Sequence, residues 1–176
     1  MTKKIALFLL LVSIFTTVPD RVYAKSLFHA TEKAVARRIM KRGFSANRMR
    51  STARFGRGAY LAESRALALS EKPASKAVVA FKDSKLFRQR TLNTSRLKRT
   101  QLKRFSRDYD LRGNIRKGII GPDLGRKIGR TAGKTNHIIS YRSAKGKGIN
   151  YFIPQRLYKT NPKIVKPVRI LPAYNN

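Results

Sequence analysis

Short apolar segments alternate with longer basic ones along the chain, and the first apolar segment stands apart from the rest. Lys3 and Lys4 precede a mostly apolar run from Ile5 to Val18, which continues through Pro19-Asp20-Arg21-Val22-Tyr23 to Ala24. A basic start, a short apolar stretch and a small residue at the end describe a secretory leader, with cleavage expected after Ala24 and a secreted or periplasmic product. The run is short for a helix that spans a bilayer, and an uncleaved N-terminal anchor is the alternative reading. Beyond it, Ser26-Leu27-Phe28-His29 reads as a strand. Thr31 stands where it could cap a helix from Glu32 to Arg42, in which Ala34, Val35, Ile39 and Met40 recur at helical spacing and Gly43 is the stop. A polar, basic loop over 44–57 leads to a second strand, Gly58 to Ala62, and a second helix, Glu63 to Lys72, ended by Pro73. Lys76 to Phe81 is a third strand, rich in β-branched residues.

The middle of the chain changes character. From Lys85 to Arg107 there are nine bases and no acid, which predicts a solvated helix face or a loop. Six glycines between 111 and 135 predict loop rather than helix. Gly129 and Gly133 precede Lys134-Thr135 in the manner of a phosphate loop, but three residues separate them where four are needed, so that reading is excluded. Alternating segments return at His137 to Tyr141, Ile149 to Ile153 and Ile164 to Leu171, the last two joined by a stretch bounded by Pro154 and Pro162. Six short strands and two early helices, with no strand–helix–strand alternation, predict one α+β domain over residues 25–176. Its sheets are expected to be split, twisted and mostly antiparallel, with a basic central insertion at about 84–135.

Composition narrows the chemistry. The 176 residues hold 41 Lys and Arg against 8 Asp and Glu, a formal charge of +33, with two His and no Cys. Without cysteine there is no disulfide framework, thiolate metal site or thiol nucleophile. A chain so cationic is drawn to polyanions, either nucleic acid or an anionic surface. No pair of its few acids is spaced like the two carboxylates of a glycosidase.

His29 follows the first strand, and its surroundings carry the sharpest signal. The order Leu27-Phe28-His29-Ala30-Thr31, a helix ending at Gly43-Phe44, then Phe55-Gly56-Arg57-Gly58-Ala59-Tyr60-Leu61-Ala62 with Ser64 beyond, resembles the ADP-ribosyltransferase superfamily. The branch it is similar to is the one shared by poly(ADP-ribose) polymerases and diphtheria-like toxins, over residues 26–81 and 136–171. The resemblance implies that NAD is the substrate, without a metal. It implies that His29 holds the nicotinamide ribose and that Ala30 and Thr31 present backbone to the carboxamide. Gly58 and Ser64 would belong to the same binding segment, and Tyr60 would stack on nicotinamide. Gly148-Ile149-Asn150-Tyr151 resembles the family's third element, with Asn150 where the family has its catalytic Glu, so mono-transfer rather than polymer formation is expected. Gln155 or an acid of the central loops could supply the missing carboxylate. The helix position of the family's second stacking aromatic holds Ala68, Ser70 and Glu71 instead. The function implied is that of a monomeric toxin or effector that modifies a protein or nucleic acid, with an immunity protein as a further partner.

Two other readings use different residues. His29 and His137 could be the base and acid of a metal-free ribonuclease, with Lys134 on the developing charge. A non-enzymatic cationic binder would use the Lys85–Arg107 run, with Phe87, Phe105 and Tyr109 stacking on bases. The basic run itself predicts a salt response. Binding to RNA, DNA or anionic vesicles should weaken by about a thousandfold between roughly 50 and 200 mM salt if six or more phosphates are engaged. An affinity that ignores salt would give the run another role.

Overall fold

The computed structural model describes residues 26–83, 85–97, 100 and 119–173. The expected leader with its cleavage point at Ala24, the end of the basic run with Phe105, and Tyr109 beyond it lie outside the described residues. The elements in chain order are β1 (Ser26–Thr31), α1 (Lys33–Arg42), β2 (Gly58–Ala62), α2 (Arg65–Glu71), β3 (Ala77–Asp83) and β4 (Thr91–Asn93). After these come α3 (Pro122–Lys134), β5 (Ile138–Arg142), β6 (Ile149–Pro154), α4 (Gln155–Thr160) and β7 (Val165–Pro172).

The seven strands form one sheet in the order β4-β5-β6-β2-β1-β3-β7. All neighbours are antiparallel except β4 and β5. The α+β class and the antiparallel bias agree with the sequence pattern. The sheets expected to be split are one continuous sheet, interrupted by one weak seam. β1 pairs with β3 along its whole length, from Ser26–Lys82 to Thr31–Ala77, but meets β2 only at Phe28–Ala62.

Side chains alternate across each strand, so the sheet needs cover on both faces. On one face Leu27, Leu61, Phe81, Tyr151 and Ile153 pack with Ala36 and Ile39 of α1 and with Leu157 and Tyr158 of α4. On the other, Ile139, Tyr141 and Phe152 pack with Leu124, Ile128 and Ala132 of α3. Beside them Ala30, Ala62 and Val78 pack with Leu67 and Ala68 of α2. The seam between β1 and β2 falls between these two patches.

Several local expectations are corrected. There are four α-helices among the described residues rather than two. Thr31 is buried at the end of β1 and does not cap α1, whose N-cap is Glu32 and makes no side-chain cap bond. Thr91–Asn93 lies within the basic run yet forms a strand, because β5 offers it a parallel partner. The stretch between Pro154 and Pro162 is α4, with Leu157 and Tyr158 turned into the core. Most instructive is α3, which occupies a segment expected to be loop. Gly125 and Gly129 lie one helical turn apart, and a Cβ on either would stand 2.1 Å from the Arg54 carbonyl oxygen or 1.9 Å from that of Phe55. Glycine lowers helix propensity by about 1 kcal/mol per residue. Here it lets the helix lie directly on the 54–55 backbone, and burial of Leu124, Ile128 and Ala132 offsets the loss.

Substitutions along this helix should therefore differ in sign. Gly129→Ala forces backbone apart and should destabilise by about 1–3 kcal/mol. Gly133→Ala, whose Cβ would meet only Pro154 Cβ at 3.6 Å, should be neutral or stabilise by up to about 1 kcal/mol. Urea unfolding of the two variants checks this, and equal effects would mean that the close approach does not constrain α3.

Candidate functional site

Where β1 and β2 part, a cleft of about 180 Å³ opens. His29 and Ala30 come from β1, Tyr60 from β2, Glu71 and Lys72 from the end of α2, Tyr141 from β5 and Asn150 from β6. The cleft exists because the sheet changes its bonding here. The Thr31 carbonyl accepts from the Lys76 amide at 3.2 Å, on the β3 side, so strand alternation turns the amide and carbonyl of Ala30 towards β2. Phe28–Ala62 is the only register pair on that side, so β2 gives Ala30 no ladder partner.

His29 takes over one of the missing contacts. Its Nδ1 lies 2.9 Å from the Tyr60 carbonyl oxygen. A carbonyl can only accept, so Nδ1 carries the proton and Nε2 keeps its lone pair. Loss of water around the ring pushes the imidazole pKa down to about 4; the bond to Tyr60 opposes that fall, and the Lys72 charge adds to it. At neutral pH the ring is uncharged, a donor at one nitrogen and an acceptor at the other.

The aromatic wall is fixed from outside the cleft. The Tyr60 hydroxyl accepts from the Phe55 amide at 2.8 Å and donates to the Gly56 carbonyl at 3.2 Å, which ties the ring to the preceding turn. Gly56 has φ 84°, a conformation open to glycine. The Tyr60 and Phe152 ring centroids are 4.8 Å apart, and Phe55 and Tyr141 meet edge-on at the same distance, 4.8 Å. Burial raises the pKa of both Tyr60 and Tyr141, against the lowering influence of Arg54 nearby. The Arg54 guanidinium lies 5.5 Å from the Tyr141 ring centroid, and its buried Nη1 has no hydrogen-bond partner. A buried guanidinium with a donor unused is chemically suited to an anion.

The carboxylate of the site is Glu71, which sequence reading treated as the occupant of an aromatic's position. Its Oε1 accepts from Ser143 Oγ at 2.6 Å and from Asn150 Nδ2 at 2.8 Å. Ser143 Oγ accepts in turn from the Lys145 amide at 3.0 Å. Asn150, expected in the role of the catalytic acid, is buried and holds the carboxylate that α2 delivers from across the cleft. One signal was present in the sequence. An acid in the last turn of a helix opposes the helix dipole, so Glu71 needed another reason to be there.

His29, Ala30, Tyr60 and Asn150 are thus brought together, and four other candidates are not. Thr31 is buried beyond the cleft. Gly58 is a packing glycine, whose Cβ would stand 2.2 Å from the Phe152 ring. Ser64 caps α2, its hydroxyl accepting from the Leu67 amide at 3.1 Å. Gln155 donates to the Ala46 carbonyl at 2.7 Å, away from the cleft. The two-histidine pair does not assemble either. His137 precedes β5 with Nδ1 2.8 Å from the Thr135 carbonyl oxygen, and β6 and β2 lie between β5 and β1. Three strand spacings put the two strands about 14 Å apart, too far for one phosphate to bridge base and acid.

No family model matches the chain, and no curated protein matches it by sequence. In fold it is similar to a chain in the crystal structure of the M. tuberculosis MbcT–MbcA toxin–antitoxin complex, with a TM-score of 0.51. The two are 10% identical, over 85% of this chain and 84% of that one.

The site predicts a pH effect on stability. Unfolding releases His29 to bind a proton near its ordinary pKa of 6.5, whereas the folded group stays neutral down to about 4. Its contribution is therefore complete above pH 6.5 and lost as pH falls towards 4. In urea titrations between these limits the wild type should lose more stability than His29→Gln, and parallel losses would mean that His29 is not held neutral.

Proposed function

We propose that the chain is a toxin-type enzyme that cleaves NAD between nicotinamide and ribose and passes ADP-ribose to an acceptor. One observation carries the reading: at the seam between β1 and β2, a neutral His29, the Ala30 backbone, two tyrosines and a tethered carboxylate line one ring-sized cleft. A cavity of about 150 Å³ holds benzene, so about 180 Å³ suits one substituted planar ring. Tyr60 and Tyr141 exclude water from the nicotinamide, and the amide and carbonyl of Ala30 match the acceptor and donor of its carboxamide. His29 Nε2 accepts from a ribose hydroxyl, and Arg54 is the cation for the pyrophosphate.

In the reaction, the ribose–nitrogen bond breaks and its electron pair returns to the pyridinium ring, which leaves as neutral nicotinamide. The Glu71 carboxylate stabilises the positive charge that develops on the ribose. The acceptor's nucleophile then bonds to the ribose carbon and gives up its proton. The fold likeness to a toxin chain from a toxin–antitoxin complex supports a toxin role and a dedicated inhibitory partner. The +33 charge makes an acidic immunity protein, or a nucleic-acid acceptor, the natural counterpart. Release from the cell through the leader belongs to the same proposal.

Nicotinamide release from NAD by the purified protein is the test. Glu71→Gln should lower turnover about a hundredfold or more, the scale of losing one preorganised electrostatic partner. His29→Ala should cost about tenfold or more, and His137→Ala should leave turnover intact. A protein that consumes no NAD but cleaves RNA, and loses that cleavage in His137→Ala, would overturn the assignment.

A further inference from the structure

The cleft explains which atoms His29 meets in front, but not what holds its ring from behind. That contact is Phe44, in the loop after α1. Its ring meets the His29 ring edge-on with centroids 5.1 Å apart at 85°, and stacks on Phe81 at 5.1 Å and 8°. The Phe44 amide donates to the Tyr158 hydroxyl at 3.0 Å, and the Tyr158 ring stands edge-on to Phe44 at 5.8 Å. Tyr158 comes from α4, more than a hundred residues along the chain.

The approach of the chain to this hydroxyl is built in. Gly43 has φ 71°, and a Cβ on it would lie 2.7 Å from the Tyr158 oxygen. The backbone therefore turns directly beneath the hydroxyl before Phe44 enters the core. A phenylalanine at 158 would fill nearly the same volume, so the hydroxyl's distinct contribution is the bond that fixes Phe44.

We infer that Tyr158 is a positioning residue for His29, acting through Phe44. With Phe44 pinned between Phe81 and Tyr158, the imidazole has no room to swing away from the seam, and Nδ1 stays on the Tyr60 carbonyl. The consequence for NAD cleavage rests on the function proposed above; the orientation of His29 does not.

The test is Tyr158→Phe in the full chain, read by nitrogen NMR of the histidine rings across a pH titration. The wild type should show His29 as a single tautomer protonated at Nδ1. In Tyr158→Phe the His29 ring should show mixed tautomers, with its titration moved from about 4 towards 6.5. Glu71 and Lys72, the charged groups that share the cleft with His29, are unchanged in the variant, so a shift reports the ring's seating. Gly43→Ala disturbs the same hydroxyl from the opposite side and should move the His29 signals in the same direction. If NAD is turned over, kcat should fall about fivefold with KM nearly unchanged, the scale of one hydrogen bond. A folded Tyr158→Phe whose His29 keeps its tautomer and its titration overturns the inference. A shifted His29 in a protein that never consumes NAD removes only the proposed function.

Discussion

The bond from the His29 imidazole to the Tyr60 carbonyl is the contact on which the site depends. Two adjacent antiparallel strands ordinarily exchange backbone hydrogen bonds along their length, and a buried carbonyl left without a donor costs free energy comparable to a lost hydrogen bond. β1 and β2 abandon that pattern after Phe28–Ala62. A side chain stands in for the missing amide: Nδ1 of His29 satisfies the Tyr60 carbonyl at 2.9 Å. The strands can then remain apart without leaving that carbonyl unsatisfied, and the space between them is the cleft. The same substitution fixes the histidine's tautomer, so the device that opens the site also sets its chemistry.

The walls of the cleft are supplied by elements that the sheet order brings together. Tyr60 leans on Phe152 and Phe55, and Phe55 is reached by α3 at a distance only glycine permits. A helix that lies on the backbone of residues 54 and 55 also fixes the turn that holds the Tyr60 hydroxyl and carries Arg54 over Tyr141. Glycines that weaken the helix locally thus serve the aromatic wall. α2, capped by Ser64, runs back over the sheet and ends with Glu71 at the opposite side of the opening.

In a chain with 8 acids against 41 bases, the roles given to acids are informative. Glu63 accepts from the Ile149 amide at 2.8 Å and so braces the start of β6. Asp123 pairs with Arg126 in the first turn of α3, where the helix dipole favours a negative charge. Glu71 alone among these lines the cleft, and two neutral donors on one oxygen orient it. Neutral donors hold a carboxylate without cancelling its charge, which a lysine or arginine in their place would do.

The sequence by itself determined the local elements and one half of the site. Alternation, Gly43 and Pro73 marked β1, α1, β2, α2 and β3 to within a few residues, because stops and side-chain period are local properties. His29 and Tyr60 were legible as a pair only through the resemblance of their two segments to the ADP-ribosyltransferase pattern. Tertiary structure decided the rest. Gly125 and Gly129 look like loop residues until the Arg54 and Phe55 carbonyls beside them are seen. The strand at Thr91–Asn93 needs β5 to exist. Asn150 stands in the register where an acid was expected, and only the return of α2 across the seam shows the carboxylate it holds. Glu71 lies more than seventy residues before Ser143 and Asn150, with α3 between them in the chain, and one hydrogen bond joins it to each. Spacing along a chain carries no record of such a meeting, because it is the sheet order, and not the sequence order, that makes them neighbours.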